Sequence, residues 1–234
     1  RNRAVNAPHY KLSELTRLDN RVEAHLDGLR IAGPEGWNLC EQALEIGEAG
    51  EVFTAGLLAL ESKNPQKLAK VASIAEDSVE AAKGLVSAFG WTEPSKLART
   101  VKLLLDSSSS FHRFIGLSAC AVHRVNPGNI LDNWVQDHDA PSLLRARALR
   151  TVGELKRRDL IYDLRNCFHA QDAAIRFWAA WSAVLLGNRS DALEVLKVFM
   201  ATGSRQFPGA LPMLLRAMPI EGSAPLLKGL AQYP

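Results

Sequence analysis

Leu144-Arg145-Ala146-Arg147-Ala148-Leu149-Arg150-Thr151-Val152-Gly153 decides how the rest of this chain is read. Thirty-two residues before Arg145 stands Arg113-Phe-Ile-Gly116, and thirty-one after it stands Arg176-Phe-Trp-Ala179. Each arginine is followed three places on by a residue with little or no side chain: Gly116, Ala148 and Ala179. The same ruler, run outward, meets Gly84 and Gly56 on one side and Ala210 on the other, at intervals of 28, 32, 32, 31 and 31. Self-similarity at this period is what stacked repeats produce, because one unit cannot bury its apolar face alone.

Between the ruler marks the periodicity is helical. Leu12, Leu15, Leu18, Val22, Leu26 and Leu29 form one apolar stripe, with Arg17, Asp19, Arg21 and Glu23 opposite. Gly33-Pro34 ends that helix and opens a second one bearing Trp37, Leu39, Cys40, Ala43 and Leu44, closed by Gly47 and Gly50. Helices follow near 51–62, 66–76, 79–89, 94–105, 110–123, 128–136, 142–156, 159–168, 172–186, 190–202, 209–217 and 223–231, after a loose lead-in over residues 1–9. Asn64-Pro65, Asn126-Pro-Gly128, Ala140-Pro141, Gly187-Asn188, Gly203-Ser204 and Gly222-Ser223 punctuate them, and Gln171-Asp172 and Ser190-Asp191 supply N-caps. No period-two run of β-branched residues appears. The sequence therefore predicts an all-α, HEAT-like α-solenoid of about six helical hairpins. Its N-terminal region is 1–78 and its repeat region 79–234, continuous with the first. The small residue lies where helices of neighbouring hairpins cross, and the repeated arginine pairs with an acid ahead of it, Asp106, Asp139 or Asp172.

The 234 residues carry a net charge of +3, so no strong bulk field directs the chain to nucleic acid or to a membrane. The charge is unevenly distributed. Glu35 to Glu80 holds nine acids against three lysines, and Lys96 to Arg165 holds twelve basic residues against seven acids. No apolar run reaches the length of a membrane span; Phe177 to Leu186 is the most apolar and is too short. Cys40, Cys120 and Cys167 are an odd number, set among apolar residues and without a CxxC spacing, which predicts buried thiols in a reducing compartment.

Two resemblances add to this reading. The opening Asp172-Ala-Ala-Ile-Arg176-Phe-Trp-Ala179 and its weaker copies, from about Val79 to the C-terminus, resemble HEAT-like repeats of the phycobilisome-lyase kind. The stretch Tyr10-Lys-Leu-Ser-Glu-Leu-Thr-Arg-Leu-Asp19-Asn-Arg21-Val-Glu-Ala-His25-Leu-Asp27-Gly28-Leu29, followed by Gly33-Pro-Glu-Gly36-Trp37, resembles the start of a proteobacterial HEAT-repeat family found beside type VI secretion genes. That resemblance implies a cytoplasmic bacterial immunity protein. Such a protein binds a cognate antibacterial toxin, of nuclease type, and needs no cofactor, metal or catalytic residue.

Candidate contacts follow from charge and repeat position. Glu41, Glu45, Glu48 and Glu51 keep steps of three and four, one acidic face suited to a cationic partner. Asp159, Tyr162, Asp163, Asn166 and Arg189 lie on the second helices of their hairpins, expected to line the concave side. The rivals are a secretion-associated scaffold and a HEAT-type DNA glycosylase. The glycosylase needs a basic groove, for which Arg145, Arg147, Arg150, Arg157, Arg158 and Arg165 are available, with an exposed Trp178–Trp181 pair and a catalytic acid. The six histidines form no HExxH or other metal-ligand spacing. Arg21 and His25 share a helix face and read as an inter-helix hydrogen bond.

Overall fold

The computed structural model describes residue 7, residues 9–201 and residues 209–232. All the regular structure among them is helical, without a strand. The helices are α1 (Leu12–Ala32), α2 (Pro34–Ala43), α3 (Ala49–Ser62), α4 (Pro65–Glu76), α5 (Val79–Trp91), α6 (Pro94–Leu105), α7 (Ser110–Val122), α8 (Asn129–Gln136), α9 (Ser142–Glu154), α10 (Ile161–Asn166), α11 (Ala173–Leu185), α12 (Ser190–Ala201), α13 (Ala210–Ala217) and α14 (Ile220–Gln232). The segment expected as one helix over 159–168 is α10 flanked by 3₁₀ turns at Arg158–Leu160 and Cys167–His169. Most of the lead-in over 1–9 and the break at Gly203-Ser204 lie outside the described residues.

Contacts group residues 1–97 into one compact unit and residues 98–234 into a second. In the first unit α3 packs most extensively on α5, with α4 against both. In the second, α9 packs on α7 and on α11, and α12 on α11 and α13. The ruler residues lie in these helices: Gly56 in α3, Gly84 in α5, Gly116 in α7, Ala148 in α9, Ala179 in α11 and Ala210 in α13. All six are buried.

Space at the crossings explains the residue choice. A Cβ on Gly84 would lie 2.4 Å from the Ala49 carbonyl oxygen, a backbone atom that cannot swing away. On Gly56 it would meet Ala88 Cβ at 3.1 Å, and on Gly116 the Leu105 side chain at 2.9 Å. The tightest approach in the second unit is one turn beyond the ruler. A Cβ on Gly153 would stand 2.6 Å from Ser182 Oγ and 2.8 Å from Ser182 Cα. Ser182 Oγ donates to the Leu149 carbonyl at 2.7 Å, so α9 and α11 are joined by a buried hydrogen bond at the crossing.

The repeated arginines behave differently from the sequence expectation. Arg113 Nε donates to the Ser107 carbonyl. Arg145 Nε donates to the Val135 carbonyl at 3.4 Å, and Arg176 Nη1 to the Ala170 and Gln171 carbonyls at 2.6 Å. The ladder is therefore arginine to backbone, not arginine to acid. The Val135 carbonyl, in the last turn of α8, has no intrahelical donor, and a guanidinium satisfies it and suits the negative end of that helix dipole, whereas Ser107, Ala170 and Gln171 lie in the segments just before α7 and α11. Asp172 instead caps α11, accepting from the Ala174 and Ile175 amides, and Ser142 Oγ donates to its other oxygen.

Candidate recognition surface

The four glutamates do not share a helix face. Helix α2 stops at Ala43, and Gly47, with φ of +68°, turns the chain before α3 begins at Ala49. Glu41 lies on α2, Glu45 in the turn, Glu48 at the N-cap of α3 and Glu51 in its first turn. Glu41 accepts from Lys70 Nζ at 2.7 Å, and that hydrogen bond holds its carboxyl below the usual range. Glu51 Oε2 is buried with no hydrogen-bond partner among the described residues. Of the four, Glu45 and Glu48 are exposed, and Glu41 and Glu51 are half-buried. A step of three or four makes a face only while one helix continues, and here it does not.

The second candidate set is more coherent. Leu160 and Leu164 are buried and fix α10 to the core, which leaves Tyr162 (71% exposed) and Asn166 on its solvent side. Asp163 is half-buried, and its charge lies near enough to Cys167 to act on that thiol. Asp159, one turn before Tyr162, is gripped by Arg157 at 2.6 Å, which holds its carboxyl below the usual range. Arg157 also bonds Asp132 at 2.6 Å and Asn126 Oδ1 at 3.1 Å, so Asp159, α10 and the turn before α8 form one tethered group. Arg189 stands in the turn before α12, exposed, two residues ahead of the Asp191 carboxylate that Arg165 meets at 3.5 Å.

The six-arginine groove does not exist as a surface. Arg145 and Arg147 are buried, with Arg145 Nη2 3.6 Å from Cys167 Sγ. Arg147 bonds Thr151 Oγ1 at 3.2 Å and the Glu154 carboxylate, and burial pushes its pKa down to about 10. Glu154 also accepts from Arg150 Nε at 2.8 Å. The Arg150 guanidinium lies 4.4 Å from the Trp178 ring centroid and 5.9 Å from that of Trp181. Both indoles are half-buried under this cation rather than open for stacking on a base. The other tryptophans are similarly engaged: Trp37 under Lys67, Trp134 under Arg113 and Trp91 edge-on to Phe53. Arg21 and His25 are both exposed and make no side-chain hydrogen bond among the described residues, so their inter-helix bond does not form. Cys40, Cys120 and Cys167 are buried free thiols; burial raises all three pKa values, that of Cys120 to about 11. No described group of three His, Cys, Asp or Glu side chains is placed to hold a metal, and no described helix is long and apolar enough to cross a membrane.

Two clusters escaped the sequence reading. Arg30, in the last turn of α1, bonds Glu23, Asp27 and, from α3, Glu61 at 2.6 to 2.8 Å. The other is a set of basic residues in the turns after α7, α9 and α11. Extending the ruler eleven residues beyond each repeated arginine reaches Arg124, Lys156 and Gly187, so the signal was present in the sequence. Compared with protein-family models, with curated proteins and with solved structures, the chain matches none.

Proposed function

We propose that this chain is a HEAT-like solenoid that works by recognising another protein, as a cytoplasmic bacterial immunity protein which blocks a cognate type VI secretion toxin by contact. The N-terminal string from Tyr10 to Leu29 motivates the choice of partner. The observation that carries the binding surface is Tyr162. It is a large, strongly exposed aromatic on a short helix whose base is immobilised by Leu160, Leu164 and the Arg157 tether. Rigid aromatics flanked by polar groups are where interfaces concentrate affinity, because little side-chain entropy is lost on docking.

The test is co-purification of the chain with the product of the neighbouring open reading frame, followed by calorimetry on the pair. Tyr162→Ala is expected to weaken binding at least about tenfold, the level expected of an aromatic hot spot. A stable complex with an unchanged dissociation constant for Tyr162→Ala removes α10 from the interface. Failure to form any complex removes the immunity reading.

A further inference from the structure

The turns after α7, α9 and α11 are three copies of one structure. Each closes its helix with a six-to-one amide bond: Val125 N to Cys120 O at 2.9 Å, Arg157 N to Val152 O at 3.0 Å, Asn188 N to Ala183 O at 3.0 Å. Each also has the companion five-to-two bond, from Arg124, Lys156 and Gly187. This is the Schellman closure, which puts its central residue in the left-handed region and so favours glycine. The third copy has glycine there, with φ of +91°. The first two have Arg124 and Lys156, both at φ of +58°. Long cations therefore occupy positions where an L side chain is disfavoured. Two places further on, the copies carry Asn126, Arg158 and Arg189.

Arg124, Lys156, Arg158 and Arg189 are all exposed, and none has a carboxylate partner among the described residues. The nearby acids are already committed. Arg157 holds Asp132 and Asp159, and Glu154 serves Arg147 and Arg150. The turns after α7 and α9 touch one another directly, and α11, which carries the third, packs on α9. Arg157 Nη1 reaches Asn126 Oδ1, and Arg124 Nη1 donates to the Glu154 carbonyl at 3.1 Å. With helices packed about 8–10 Å apart, three turns make a basic edge of about 20 Å, near the length of six base-pair steps.

We infer that this edge binds the sugar-phosphate backbone of a nucleic acid without reading its sequence. The composition separates this from an acidic protein partner. At the ends of α7, α9 and α11 and in the turns after them, the exposed large apolar side chains are Val122, Val125 and Leu185, none of them aromatic, so the edge has no aromatic anchor of the kind a protein interface buries at its centre. Cations and side-chain amides in a row are what phosphate contacts use. The chain's net charge of +3 conceals the edge because the acidic stretch before it cancels most of the sum. The inference stands independently of the toxin reading.

Anisotropy of a labelled, random-sequence 20-base-pair duplex, titrated with the whole chain from 50 to 200 mM KCl, tests it. Four phosphate contacts give a slope of log K against log salt of about −3.6, a loss of about 150-fold across that range. The double variant Arg124→Gly/Lys156→Gly keeps two contacts, so the slope falls to about −1.8 and the loss to about 12-fold. Glycine suits both backbone positions, which offsets the loss of the exposed Arg124–Glu154 carbonyl bond, so this variant melts close to wild type, and a melt of each protein separates lost binding from lost folding. A wild-type slope shallower than about −1 overturns the inference. So does equal affinity in the double variant. Displacement of the duplex by polyglutamate at lower charge concentration than by heparin also overturns it, in favour of an acidic protein.

Discussion

Four glutamates three or four residues apart in the first unit end up separated, while four cations spread over 66 positions of the second stand in three equivalent helix-closing turns. Nearness in sequence makes a surface only while one helix runs on, and the α2–α3 turn at Gly47 interrupts it. Distance in sequence makes a surface when it equals the repeat, because equivalent positions then lie side by side. Charge in the two regions differs in a second way. In the first unit it is arranged on the outside, as in the Arg30 cluster, whose arginine and Glu61 side chains are 28% and 30% exposed. In the second some of it is exposed and paired, as in Arg165–Asp191, but some is buried and paired, as in Arg147–Glu154 at 7% and 22%, and some stands at the edge free of carboxylates.

The largest expected effect sharpens that second contrast. Glu154→Gln leaves Arg147 buried without a counter-charge and should lower stability by about 3 kcal/mol in denaturant melts. Arg147→Met removes the costly ion and leaves Glu154 its bond to Arg150, so it should cost under about 1 kcal/mol. Glu61→Gln, at the exposed cluster, should also cost about 1 kcal/mol or less. Equal losses for Glu154→Gln and Glu61→Gln would show that burial does not distinguish the two units.

The helix crossings, by contrast, should behave alike in both. Gly84→Ala drives a methyl group at the Ala49 carbonyl, and Gly153→Ala drives one into Ser182, so each should cost about 2–3 kcal/mol. Gly28→Ala, in α1 with nothing within 4 Å of the new carbon, should stabilise by about 0.5–1 kcal/mol. Thermal melts of the three decide it. A tolerated Gly153→Ala would mean that α9 and α11 separate easily and that the small-residue ruler is not what sets their distance.

A smaller effect separates the units by pH. Asp172 caps α11 and Asn64 caps α4, accepting from the Gln66 and Lys67 amides at 2.9 and 3.3 Å. Either residue changed to Ala should cost about 1 kcal/mol at pH 7. Burial opposes ionisation of Asp172, but the Ser142 hydroxyl and the two amides outweigh it, so its folded pKa is lowered. Its contribution is therefore complete above the ordinary carboxylate pKa and disappears as pH falls through the folded value. The gap between wild type and Asp172→Ala should narrow below about pH 4, while the gap for Asn64→Ala should not change. A pH-independent gap at Asp172 would mean that its hydrogen bonds, not its charge, supply the whole effect.

Much of this was legible beforehand, for reasons that differ by residue. Helix positions and the buried small residues follow from periodicity, which one chain displays about itself. Asp172 as an N-cap follows from local chemistry, since capping reaches only two or three residues along. The arginine ladder is not legible, because sequence shows which acids are near, whereas the actual acceptors are carbonyls, and every residue carries one of those. Arg147 gave no sign of burial: Arg145, Arg147 and Arg150 look alike in the string, and only the packing of α7 and α11 against α9 distinguishes them. The basic edge was accessible through the ruler but hidden by summing charge instead of phasing it.

The smallest expected effect bears on the glutamates themselves. If Glu41, Glu45, Glu48 and Glu51 acted as one face, reversing two of them would turn a four-fold attraction into none, and affinity for a cationic probe would fall by an order of magnitude or more. In the structure Glu41 is already answered by Lys70 and one oxygen of Glu51 is buried, so Glu45 and Glu48 act as two separate exposed charges. Exposed single charges at physiological salt are screened within about 8 Å. Glu45→Lys/Glu48→Lys should therefore shift stability by less than about 0.5 kcal/mol and should weaken binding of a dodecalysine peptide at 150 mM salt by less than about threefold. A tenfold loss at that salt would restore the acidic face and place it, rather than α10, as the surface to present to a basic toxin.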